Sequence, residues 1–127
     1  MEIRVYYEDT DCGGVVYYAN YLKYFERART EFLRDRGQPL KDYMEKGIGF
    51  IVVRAEVDYR FPARYNDVLD ITTAVSNITR ASFVMEYTVL RKEDEKLLAS
   101  GMTRLACINK KGKPIRIPDS LLRILGN

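Results

Sequence analysis

The chain of 127 residues contains no histidine. That absence excludes Ser-His-Asp and Cys-His catalysts and the common His-containing zinc sites. An enzyme built from this chain turns first to a carboxylate for acid–base or nucleophilic work, with Lys, Tyr and Cys as the remaining options. Cysteine is nearly absent too: Cys12 and Cys107 are the only two, too few for a disulfide framework. No apolar run approaches the ~18 residues of a membrane span. The first residues, MEIRVYYEDTD, are charged throughout and lack the apolar centre of a signal peptide. A cytoplasmic location is the expectation. Net charge is small as well, with 21 basic against 18 acidic residues giving +3. That bias is too weak to argue for nucleic acid, though it suits an anionic small molecule.

What is present reads as one domain over residues 1–127, with no repeat, linker or low-complexity segment. Glu2 to Tyr7 is β-branched and aromatic and predicts a first strand. Glu8 to Gly14 is a turn, with Asp9, Asp11, Gly13 and Gly14 in the flexible and side-chain-bonding positions. From Ala19 to Arg36 the period becomes helical, with Tyr21, Phe25, Ala28 and Phe32 on one stripe and Gly37 as its stop. Leu40 to Lys46 predicts a short second helix. Phe50 to Phe61, Val68 to Ile78, Ser82 to Lys92 and Lys96 to Asn109 predict four long strands. In the first of these, Ile51, Val53, Ala55, Val57 and Tyr59 are expected on one face. Pro118 to Leu125 closes as a short helix. Short turns between consecutive strands make them antiparallel, and their segregation from the long helix makes the class α+β. One helix covers one sheet face, so the outer face or an edge is expected to pair with a second copy.

Two stretches carry a resemblance. EDTDCGGVVYYANYLKYFERARTEFLR and FIVVRAEVDYRFPARYNDVLDI resemble the hotdog-fold acyl-CoA thioesterases. The similarity is to the branch containing 4-hydroxybenzoyl-CoA thioesterase and the Tol-Pal-associated thioesterases, and it runs from Arg4 to about Pro118. It implies a five-stranded antiparallel sheet wrapped around one central helix, and homodimers or homotetramers with active sites between subunits. It also implies hydrolysis of an acyl-CoA to free acid and CoA, with no cofactor, no metal and no nucleic-acid partner. By the same resemblance Asp11 is the catalytic carboxylate, as nucleophile or general base, and the backbone N–H of Tyr18 receives the thioester carbonyl. Tol-Pal-associated members usually carry histidine where this chain has Tyr18, whereas the hydroxybenzoyl-CoA enzyme has tyrosine there. The backbone donor is indifferent to that exchange.

The chemistry of these residues is coherent without tuning. A carboxylate with an ordinary pKa near ~3.9 is ionised at pH 7 and can attack or deprotonate water. Gly13 and Gly14 let a substrate approach the backbone, and a helix N-terminus offers unpaired N–H groups to an oxyanion. Plain turn chemistry is the competing account of Asp11, and it is the expected role of Asp9. Tyr17 and Tyr21 are candidates to line an acyl pocket. Arg80 and Ser82 are candidates for the nucleotide end of CoA, with Arg64, Lys110, Lys111 and Lys113 as further basic options. Cys12 is expected to be a packed thiol, inert for want of a base. Glu26 is the rival carboxylate, because another hotdog branch places its catalyst on the central helix. A non-catalytic acyl-CoA-binding module on the same fold is the alternative function. A dehydratase on this fold would need a histidine.

Overall fold

Period-two alternation from Gly49 onward gives four long strands, and the helical stripe before it gives the element they enclose. The computed structural model describes residues 1–126. In chain order it contains β1 (Glu2–Arg4), a 3-10 turn (Tyr7–Asp9), α1 (Asn20–Asp35), α2 (Leu40–Glu45), β2 (Gly49–Tyr59), β3 (Val68–Ser76), β4 (Ser82–Arg91), β5 (Lys96–Ile108), β6 (Pro114–Ile115) and α3 (Asp119–Leu125). The sheet runs β1-β3-β4-β5-β2, all neighbours antiparallel, with the two-residue β6 added beside β5. This is the expected five-stranded path around a central helix, with a short sixth strand that the sequence reading missed.

The core lies between α1 and the concave face of the sheet. Ile71 of β3, Met85 and Tyr87 of β4 and Leu105 of β5 meet Tyr21, Phe25 and Ala28 of α1, all buried. Tyr24 and Leu33 are buried as well, so the covered arc is wider than the single stripe read from spacing. Phe32 sits at its margin, under the Arg36 guanidinium at 4.0 Å from its ring. The helix ends in a Schellman motif, Gln38 N–H to Leu33 O and Gly37 N–H to Arg34 O, with Gly37 at φ 79°.

Two expectations change. β1 stops at Arg4, because the chain turns through the 3-10 turn and the Asp9 carboxylate accepts the Tyr6 N–H at 2.9 Å. In β2 the register slips between Val52 and Arg54, so Val53 is a bulge. Phe50 and Val52 therefore face the helix before the bulge, opposite Cys107 and Leu105, and Ala55, Val57 and Tyr59 face it afterwards. Ile51 and Val53 do not share the face of Ala55. β2 is also an edge of the sheet, and Ile51, Val52 and Val53 are all exposed along it.

Candidate active site

The site is built from the turn between β1 and α1. Val5 N–H bonds Asp67 O at 2.8 Å, which anchors the incoming chain to the start of β3. The turn closes on itself through Asp11 N–H to Val15 O (2.9 Å) and Gly14 N–H to Asp11 O (3.0 Å). Gly14 holds φ at 79°, a conformation that favours glycine. Asp11 Oδ1 accepts the N–H groups of Gly13 at 2.8 Å and Val15 at 3.4 Å. A Cβ on Gly13 would stand 3.2 Å from that oxygen, so glycine there lets the carboxylate fold over the turn. Oδ2 has no hydrogen-bond partner among the described residues, and Asp11 is exposed. The turn chemistry read as the competing account thus occupies one oxygen and leaves the other open.

Asp9 is placed differently. It is 7 % exposed, and its carboxylate is spent on the Tyr6 N–H and on Asn20 Nδ2 at 3.0 Å. Its backbone oxygen accepts the Tyr17 N–H at 2.9 Å. Asp9 is therefore the structural carboxylate of the pair. A hollow of about 470 Å³ lies on its side of the turn, lined in part by Tyr6, Arg27 and Glu31 and not by Asp11.

The helix start is open. Among the described residues no side chain caps α1, and no acid occupies its first turn. Asn20 N–H is taken by Tyr17 O at 2.8 Å, but the N–H groups of Tyr18 and Ala19 find no acceptor among the described residues. Such free amides carry the partial positive charge of a helix N-terminus, roughly +0.5. The Tyr18 side chain is 63 % exposed and rests against the Tyr17 ring at 4.7 Å, so both flank this opening. Tyr21 does not. It is 2 % exposed and packs edge-on against Tyr24 and Tyr59, which makes it core in the single chain; burial pushes its phenol pKa up.

Arg80 and Ser82 lie far from Asp11. Asp11's turn is bridged to the loop before β3 by Val16 N–H to Ala63 O and by the pairing of Val15 with Arg64. Arg80 follows the other end of β3, where its carbonyl accepts the Ile117 N–H. A strand rises ~3.3 Å per residue, so β3 alone separates the two ends by about 26 Å. Ser82 is tied into a turn by Thr79, whose Oγ1 accepts its N–H at 2.9 Å. The structure brings Arg64, not Arg80, beside the Asp11 turn. Lys110, Lys111 and Lys113 follow the end of β5, at the Arg80 end of the sheet.

Glu26 is exposed on α1 and lines a groove of about 230 Å³ with Leu22, Arg29, Val52, Ala55 and Thr103. Cys12 is exposed on the turn and not packed as expected, whereas Cys107 is buried, which pushes its thiol up to about 11. Among the described residues no group of three or more Cys, Asp or Glu could hold a metal, and no helix is long and apolar enough to cross a membrane.

The thioesterase-like superfamily matches residues 5–125. The chain belongs to that superfamily. The acyl-CoA thioester hydrolase YbgC of Escherichia coli is 38 % identical over 121 residues, covering 94 % of this chain and 90 % of that protein. Among solved structures, the 1,4-dihydroxy-2-naphthoyl-CoA thioesterase Slr0204 of Synechocystis superposes with a TM-score of 0.92 at 26 % identity, covering 100 % of this chain and 94 % of the other. The DHNA-CoA thioesterase of Staphylococcus aureus gives 0.94 at 29 % identity, covering 99 % and 87 %. The fold is the hotdog fold and the protein is a thioester hydrolase.

Within this thioesterase two residues that sequence reasoning passed over hold the candidate site. Asn20 ties the helix start to Asp9, and Tyr59 on β2 donates its hydroxyl to the Tyr18 carbonyl at 2.7 Å. The Asn20 contact had a weak signal, an amide at the start of the helix that follows the D-x-D turn. The Tyr59 contact spans 41 positions and has no local signature.

Proposed function

We propose that the protein hydrolyses acyl-CoA thioesters, with Asp11 as nucleophile or general base and the Tyr18 N–H as oxyanion donor. The observation that carries this reading is the pairing of an open Asp11 Oδ2 with an unspent amide at the uncapped start of α1. A donor aimed at the developing oxyanion is worth on the order of 3 kcal/mol. The thiolate leaving group of CoA needs little protonation, so a site without histidine suffices. Named relatives that act on CoA thioesters support the substrate class. Free thiols at Cys12 and Cys107 suit a reducing, cytoplasmic setting.

The enzyme works as a homo-oligomer with sites between subunits. The exposed apolar edge of β2 supports this. So does the separation of Arg80 from Asp11, because a phosphate contact from Arg80 then has to come from a second copy.

Asp11→Asn tests the reading. The amide oxygen keeps the bonds to Gly13 and Val15, so the turn survives while the charge is lost. Thiol release from an acyl-CoA panel should fall in kcat by about 10²–10⁴-fold, from a protein whose light-scattering mass exceeds the 14.8 kDa of one chain. Near-normal turnover by this variant overturns the role of Asp11, and an active species of one-chain mass overturns the interfacial site.

A further inference from the structure

We infer that Tyr59 is a positioning residue for this reaction, acting through the peptide that follows Tyr18. The inference rests on the functional reading above and deepens it. The segment 17–20 carries the two free N–H groups, and it is held from two sides. On one side Asp9 accepts the Tyr17 N–H through its backbone oxygen and the Asn20 amide through its carboxylate. On the other, Tyr59 donates its hydroxyl to the Tyr18 carbonyl at 2.7 Å. The Tyr59 ring is itself fixed, edge-on to the buried Tyr21 at 5.3 Å, and its strand position is set by pairing with Ala99. The hydroxyl therefore reaches the helix start from a fixed base.

The consequence is geometric and electronic. A peptide group is planar, so fixing the Tyr18 carbonyl also fixes the direction of the Ala19 N–H across the same bond. Holding that plane limits the rotation about Tyr18 that would swing its own N–H away from a bound carbonyl. A donor on the Tyr18 carbonyl polarises that peptide, which makes the Ala19 N–H at its other end a stronger second donor beside the Tyr18 N–H. Preorganised amides of this kind do not have to reorient as charge develops on the thioester oxygen. Tyr59 touches no reacting atom in this arrangement; it sets the donors that do.

Tyr59→Phe removes one oxygen and keeps the ring. Turnover should fall about tenfold in kcat, the equivalent of one hydrogen bond, with KM for the acyl-CoA changed less than about twofold. A structural role alone would lower thermal stability without moving the thioester. The discriminating readout is therefore the isotope-edited C=O stretch of an acyl-CoA bound to Asp11→Asn, which holds substrate without turning it over. Binding should shift the band to lower frequency, and adding Tyr59→Phe should return it part-way toward the free value. An unchanged kcat, or an unchanged band in the double variant, overturns the inference. Tyr59→Leu, which also loses the ring, controls for packing by melting at lower temperature than Tyr59→Phe. The two readings fail separately. Full activity in Asp11→Asn sinks the assignment of Asp11, whereas full activity in Tyr59→Phe beside an inactive Asp11→Asn sinks only the role of Tyr59.

Discussion

Gly101, in the middle of β5, should be the least replaceable glycine in the protein. It lies opposite Val57 on β2 and Tyr87 on β4, directly beneath the ring of Phe25, which stacks on Tyr87 at 4.3 Å and 4°. A Cβ at this position would stand 2.6 Å from Glu56 O and 2.6 Å from Phe25 Cε2. Relief requires displacements of about 0.8 Å in two directions, against a backbone carbonyl of the neighbouring strand and against the helix. Overpacking of this kind costs ~1–3 kcal/mol, and the backbone entropy that alanine recovers returns up to ~1 kcal/mol. Gly101→Ala should therefore lose about 1–2 kcal/mol. With an unfolding entropy near ~2.1 cal/mol/K per residue, that loss lowers Tm by about 4–7 °C. Calorimetric melts of the two proteins at equal concentration measure it. A Tm within ~2 °C of the parent would refute the claim that α1 is seated at the distance Gly101 permits.

Two further outcomes concern titrating groups. In the native protein one thiol, Cys12, should react with a disulfide reagent at pH 8, because Cys107 is buried with its pKa pushed up to about 11; two fast native thiols would contradict that placement. In the β4–β5 hairpin, the Arg91 guanidinium hydrogen-bonds the Asp94 carboxyl and holds it down at about 2. A depressed carboxyl supports the fold above its unfolded value, so the pair is intact above pH ~4 and is lost as pH falls through about 2. Carboxyl-carbon NMR should place the Asp94 midpoint there, and a midpoint near ~4 would show that the pair does not form.

The sequence revealed what has a period and hid what does not. The helical stripe through Tyr21, Phe25 and Ala28 and the alternation in β3 and β4 led directly to the curved sheet around α1. The bulge at Val53 could not be read, because the run from Phe50 to Val53 is apolar at every position and fits either register. A one-residue slip there moves Val52 to the helix side and Ile51 away from it. The D-x-D turn declared two carboxylates and the resemblance singled out Asp11, but the physical difference between them lies in three dimensions. Asp9 is drawn inward by Asn20 and the Tyr6 amide, while Asp11 bonds amides of its own loop and keeps one oxygen outside. The distance between Arg80 and Asp11 was implicit in the order of elements, since a full strand runs between them.

These features bear on the proposal that the site lies between subunits. Thioester hydrolysis by a carboxylate gains from a dry, low-dielectric setting, in which amide donors are worth more than in water. In the single chain Asp11, Tyr17 and Tyr18 are all exposed, so nothing dries the carboxylate. The groove beside α1 is open as well, and its far wall is β2, whose edge exposes Ile51, Val52 and Val53. Tyr59 sits at the end of that same strand, with its hydroxyl on the Tyr18 carbonyl. In the proposed oligomer, a second copy docked along β2 would cover the apolar edge and close the groove. It would also stiffen the strand from which Tyr59 reaches the helix start. Subunit contact and donor geometry would then be coupled through β2. Dilution into monomers should cost activity at the Tyr18 amide as well as at any residue that the second copy contributes.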